Sequence, residues 1–172
     1  MKRLILALAS LVVLAAPSSA HHFEKNGLVI GHPWTRATPP GATVGVGYLT
    51  ITNNGKEPDK LVGGTFEGAA QVEVHEMKMD GEKMLMRRLA DGLVVKPGET
   101  VKFNPGSYHL MFVGLKAPIA KGANVKGALS FEKAGSIDIS YKVEALGATS
   151  SPDGGAGAMK MDGHDMMHDH AQ

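Results

Sequence analysis

The chain has 172 residues, no cysteine and a formal charge of +1 at neutral pH. Without thiols it has no cysteine nucleophile, iron–sulfur cluster, thiolate-bound zinc, blue-copper thiolate or cysteine-linked lipid. No basic patch or RNP-like aromatic motif is present, which excludes nucleic acid as an expected partner.

The first element is a targeting segment. "MKRLILALASLVVLAAPSSA" places Lys2 and Arg3 ahead of an apolar run from Leu4 to Ala16, and ends in small residues at Ser18, Ser19 and Ala20. This is the layout of a secretory signal. The run of 13 residues is shorter than the roughly 20 needed to span a bilayer. The expectation is cleavage after Ala20, export to the periplasm and no membrane anchor. Loss of Lys2 and Arg3 leaves the mature chain at −1.

From Gly27 to Ala145 the sequence reads as short alternating runs punctuated by turn signals. "LVIGHPWTRA" stops at Pro39-Pro40-Gly41, and "TVGVGYLTIT" stops at Asn53-Asn54-Gly55. "QVEVHEMKM" and "EKMLMRRL" flank Asp80-Gly81, a strong hairpin signal. "GLVV", "TVKF" and "YHLMFVGL" follow, broken at Pro97-Gly98, Pro105-Gly106 and Pro118, and "NVKGALSFEKAG" and "SIDISYKVEA" complete the series. Eight or so strands with regular breaks predict an all-β antiparallel sandwich or barrel spanning 21–146. About 125 residues suffice for a core without disulfides.

After Leu146 the composition shifts. Residues 147–172 contain no Val, Ile, Leu or aromatic residue and read as a disordered tail. The tail holds Met159, Met161, His164, Met166, Met167, His168 and His170, a pattern that suggests metal capture.

The five methionines of the body, Met77, Met79, Met84, Met86 and Met111, fall within 35 residues, and His75 and His109 fall in the same region. Strand alternation places His75, Met77 and Met79 on one face, opposite to Val72 and Val74. A two-residue turn at Asp80-Gly81 would pair Met79 with Glu82, Met77 with Met84, and His75 with Met86. His109 and Met111 form a second i, i+2 pair, with Leu110 and Phe112 facing the core. If that strand end lies near the hairpin, His75, Met86, His109 and Met111 make a four-donor site. Thioethers are poor ligands for Zn²⁺, Mg²⁺ or Ca²⁺ and select Cu(I). The competing reading is a solvent-facing methionine-rich sheet or partner surface.

"VEVHEM", Met86 and "GSYHLMF", with the upstream "HPWTRATPPGATVGVGYLTITN", resemble the bacterial periplasmic copper chaperones called PCu(A)C over nearly all of Gly27 to Ala145. The family signature is a His, ten residues, a Met, about twenty-one residues and His-x-Met. Ten residues separate His75 from Met86 here, and twenty-two separate Met86 from His109. The resemblance implies a cupredoxin-like sandwich holding Cu(I) through His75, Met86, His109 and Met111. It also implies delivery to the copper-bearing subunit of cytochrome c oxidase, alongside a Sco-like thioredoxin-fold protein. The tail resembles an extension that some members carry for a second copper ion, Cu(I) or Cu(II). Met77 and Met84 lie outside the signature and read as secondary ligands, a transfer relay or neighbours.

Two other functions share these residues. An amino-terminal His21 could chelate Cu(II) in an oxidative enzyme if a second histidine faced it, and His32 is the one nearby. A periplasmic copper buffer would need the same ligands as a carrier. His32 and Trp34 read as packing or hydrogen-bonding residues. No hydrolytic triad or phosphate loop is legible, so the expectation is a monomeric carrier and not an enzyme.

Overall fold

The computed structural model describes residues 22–151, and the signal segment, His21 and 152–172 lie outside it. Eleven strands and no helix occur among the described residues. They are β1 (His22–Lys25), β2 (Leu28–Arg36), β3 (Val44–Asn53), β4 (Asp59–Phe66), β5 (Gln71–Asp80) and β6 (Lys83–Arg88). β7 (Leu93–Val95), β8 (Thr100–Phe103), β9 (His109–Val113), β10 (Asn124–Phe131) and β11 (Gly135–Glu144) complete the series.

Hydrogen-bonded neighbours run β2-β11-β10-β4-β5-β9-β3, and β3 pairs back onto β2. The strands of the ring are paired on both sides, and β1, β6, β7 and β8 branch from it. Every pairing is antiparallel except β11 with β2, where Lys142 lies beside Trp34. This is a cupredoxin-like β-sandwich: the alternating runs predict an antiparallel sandwich or barrel, and the family resemblance implies the cupredoxin-like form.

Alternation builds the core. Leu28 and Ile30, Leu49 and Ile51, Val72 and Val74, Leu110 and Phe112, and Ile137, Ile139, Tyr141 and Val143 all point inward. At the centre Phe66 stacks on Phe112 at 3.9 Å between centroids, and Tyr141 packs edge-on to Phe112 at 5.3 Å. Gly47 makes this possible, because a Cβ there would lie 2.4 Å from the Phe112 ring. The anchoring of Phe112 turns its neighbours His109 and Met111 to the outer face.

Two strands lie beyond the sequence reading. β1 is joined to β2 through Asn26 (φ 52°) and Gly27 (φ 81°), the left-handed pair of a type I′ turn. β4, "DKLVGGTF", contains adjacent glycines and no clean alternation. It is fixed instead by buried Asp59, whose carboxylate accepts hydrogen bonds from the backbone N–H of Lys60, Lys133 and Ala134.

The boundary at Leu146 is softer than composition suggests. Ala148 O accepts a 2.7 Å hydrogen bond from Arg36 Nε, and Ser151 is buried. Gly147–Ser151 thus lie against the body, whereas the tail residues Met159, Met161, His164, Met166, Met167, His168 and His170 fall outside the described residues.

Candidate metal centre

The β5–β6 hairpin differs in register from the expected one. Asp80 pairs with Lys83, so the turn residues are Gly81 and Glu82. Gly81 has φ 61°, and a turn with Gly at its first central position uses that angle without a Cβ penalty. The sequence reading placed the glycine second. The consequence is a shift of two: His75 opposes Arg88, Met77 opposes Met86 and Met79 opposes Met84. A shift of two keeps every side chain on its expected face. Met86 is therefore a diagonal neighbour of His75 and not its direct partner.

β9 supplies the partner that β6 does not. His75 and His109 are directly opposed across β5 and β9, with ring centroids 5.6 Å apart. Both are buried, at 8% and 6% exposure. Met111 follows on the same face of β9, half-buried, opposite Glu73.

Hydrogen bonds set the tautomers. Glu73 Oε2 lies 2.8 Å from His75 Nε2. A carboxylate only accepts, so Nε2 carries the proton and Nδ1 presents a lone pair. That Nδ1 is buried and has no partner among the described residues. A buried unpaired acceptor costs about 1–3 kcal/mol, and a metal ion would satisfy it. Arg88 in turn holds Glu73 Oε1 at 3.1 Å. On His109, Nδ1 donates to Ser107 O at 3.3 Å and leaves Nε2 unprotonated with a free lone pair. Burial pushes the His109 pKa below the usual histidine value, nearby His75 lowers it further, and the Ser107 carbonyl opposes both. A depressed pKa keeps the ring neutral, as ligation requires.

The two histidines form the centre, and the thioethers flank them from opposite sides. Met111 sits at the level of Glu73 and Met86 at the level of Met77. Those rungs are about 13 Å apart along β5, at roughly 3.3 Å per residue. Met86 is 54% exposed on the projecting hairpin, so the structure gathers His75, His109 and Met111 and leaves Met86 one rung outward. Met77, on β5 itself, is half-buried and nearer in sequence to His75. Among the described residues no group of three or more His, Cys, Asp or Glu could hold a metal. The same-face neighbours of the two imidazoles include the thioethers Met77, Met86 and Met111.

Sequence reasoning missed Glu73, Arg88 and the Ser107 carbonyl. Glu73 could have been found, since an acidic residue two positions before His75 must share its face. Elsewhere, His32 stands at a bulge with φ 47° and its ring meets that of His22 at 5.1 Å. His21 lies outside the described residues. Trp34 is buried against Tyr48, as expected of a packing residue.

The fold and these donors define a class: a cupredoxin-like domain with imidazole and thioether groups on one outer face. Residues 28–143 match the family described as "Putative lipoprotein LpqE-like". The chain belongs to that family. A relative from Leifsonia xyli subsp. xyli that also bears a lipoprotein name, Lxx21020, is 26% identical over 77% of this chain and 79% of its own length. Among solved structures, the copper-bound PCuAC domain from PmoF2 is 28% identical with a TM-score of 0.62, covering 73% of this chain and 98% of that one. The apo PmoF2 PCuAC domain is 27% identical with a TM-score of 0.64, covering 76% and 100%. The Cu(I) form of DR1885 from Deinococcus radiodurans shares the fold at 24% identity and a TM-score of 0.52, covering 74% and 83%. The PCu(A)C resemblance is thereby borne out.

Proposed function

We propose that this chain is a periplasmic copper chaperone that holds one Cu(I) through His75, His109, Met111 and Met86. The observation that carries the reading is the buried pair His75 and His109, each presenting one unprotonated nitrogen on the face that bears the methionines. The copper-bound PmoF2 domain, of the same fold, supports copper as the cargo. Thioethers suit Cu(I) above harder cations.

In this reading His75, His109 and Met111 form a standing cradle. The hairpin brings Met86 inward to close the fourth position, and its outward swing opens the ion to a recipient. Handover then proceeds one ligand at a time. The recipient is the copper-bearing subunit of cytochrome c oxidase, with a Sco-like protein alongside, as the family resemblance implies. The chain is a carrier and not an enzyme, since two thioethers and two imidazoles leave Cu(I) no open reactive position. Although its family carries a lipoprotein name, the sequence has no cysteine for a lipid, and in this reading cleavage after Ala20 releases the chain into the periplasm. The tail methionines and histidines supply a further copper-binding segment.

The test is Met86→Leu combined with Met111→Leu, a swap that conserves volume. The far-UV spectrum should be unchanged, while Cu(I) affinity in competition with a chromophoric chelator should fall by at least a hundredfold. Unchanged affinity would remove both sulfurs from the site.

A further inference from the structure

The hairpin beyond the histidines has two unlike faces. Glu76 opposes Arg87, Lys78 opposes Leu85 and Asp80 opposes Lys83 on one side. On the other, Met77 opposes Met86 and Met79 opposes Met84, four thioethers in two successive rungs with no charge among them. Among the described residues β6 pairs only with β5, and all of its residues are exposed. Met79 and Met84 are 55% and 54% exposed, values at odds with a packing role. An isolated ribbon arm is ordinarily soluble on both faces, and leaving thioethers in water forfeits their burial energy. The segregation asks for a ligand.

We infer that Met77, Met79 and Met84 form a second Cu(I) site at the end of the hairpin, an all-thioether station outside the His75–His109 centre. Directly opposed residues of an antiparallel pair have Cβ atoms about 4.5–5.5 Å apart. Met79 and Met84 stand in that relation, and Met77 follows two residues along the same face. Three unbranched side chains, each with three rotatable bonds, converge on one ion from such positions. Trigonal sulfur coordination suits the filled d shell of Cu(I) and gives no purchase to Zn²⁺, Mg²⁺ or Ca²⁺. Solvent exposure gives the station first contact with incoming copper, and the tighter histidine centre draws the ion inward through Met86, which shares a rung with Met77 and a face with His75, so the station stays filled only once that centre is occupied. The inference rests on the copper-carrier reading for the identity of the metal, and on the hairpin register for its place.

The test is a Cu(I) titration of the full mature chain, carrying ¹³C-methyl methionine, under anaerobic conditions. Methyl signals are assigned by single Met→Leu replacements. The first equivalent should shift Met86 and Met111; a further equivalent should shift Met77, Met79 and Met84 together. In Met79→Leu with Met84→Leu, the first event should persist and the later shift at Met77 should vanish. Hairpin methyls that stay fixed while Met159, Met161, Met166 and Met167 take the additional copper would overturn the station. So would one event moving all the hairpin and β9 methyls together, which means a single site. Shifts at Met77, Met79 and Met84 with Met86 and Met111 unmoved would uphold the station and instead defeat the four-donor centre.

Discussion

Glu73 governs His75 without lying among the proposed copper donors. Its carboxylate fixes the ring orientation and places the proton on Nε2, with Arg88 holding the carboxylate in turn. Such partners of ligating histidines are worth about 10–100-fold in metal affinity. Glu73→Gln should therefore weaken Cu(I) binding within that range while leaving the thermal midpoint of the metal-free chain nearly unchanged. Wild-type affinity in the variant would reduce Glu73 to a surface ion pair. The other imidazole makes a pH prediction. The folded state holds the His109 pKa below its unfolded value, so the folded chain binds fewer protons there than the unfolded one. The stability contributed is complete above about pH 6.5, the ordinary histidine value, and is lost as pH falls from there through the depressed value. Urea unfolding of the metal-free chain between pH 8 and 5 should show this loss, and His109→Gln should flatten it. An equal slope in both would assign the pH dependence to other groups.

At the scale of elements, the hairpin is where sequence reasoning and structure part most usefully. Period-two alternation assigned His75, Met77 and Met79 to one face, and a register slip of two cannot change that. Register itself hangs on which turn residue takes positive φ, and Asp80-Gly81-Glu82 offers two frames. The glycine at the first central position decides between them. Gly81→Val should destabilise the hairpin by about 1–2 kcal/mol, since a β-branched residue pays the left-handed penalty. Cu(I) affinity should fall with it through displaced Met86. A variant that loses no copper affinity would detach Met86 from the ion. β1 escaped the reading because alternation was traced only from Gly27, although Asn26-Gly27 is itself a hairpin signal. β4 escaped because Gly63 and Gly64 break its pattern, and the three N–H donors to Asp59 that tie it down come from Lys60, Lys133 and Ala134, two of them distant in sequence.

For the whole molecule, the closed ring of strands makes the outer face of β5 and β9 a rigid platform and leaves the β5–β6 arm as the projecting part. The platform rests on the stacked Phe66 and Phe112, with Tyr141 packed edge-on to Phe112. Tyr141 is fully buried and its hydroxyl has no partner among the described residues, while burial drives its pKa far upward. Removing an unpaired buried hydroxyl relieves its desolvation cost. Tyr141→Phe should raise stability by about 1 kcal/mol in urea unfolding and leave copper binding alone; a loss of stability would mean that the hydroxyl is satisfied. The all-β class was legible because eight or so alternating runs can bury a core as an antiparallel sandwich or barrel, and the PCu(A)C resemblance narrowed it to a cupredoxin-like sandwich. The pairing of β5 with β9, which brings His75 to His109, was not, because no local pattern dictates which strands meet across 34 residues.

The most direct measurement is a Cu(I) competition titration of residues 21–151, which keep Gly147–Ser151 against the body and omit the rest of the tail. One tightly bound Cu(I), with nitrogen and sulfur both in its X-ray absorption shell, is the predicted result. Absence of tight binding, with capacity restored only by residues 152–172, would contradict the account and move copper capture from the sandwich to the tail.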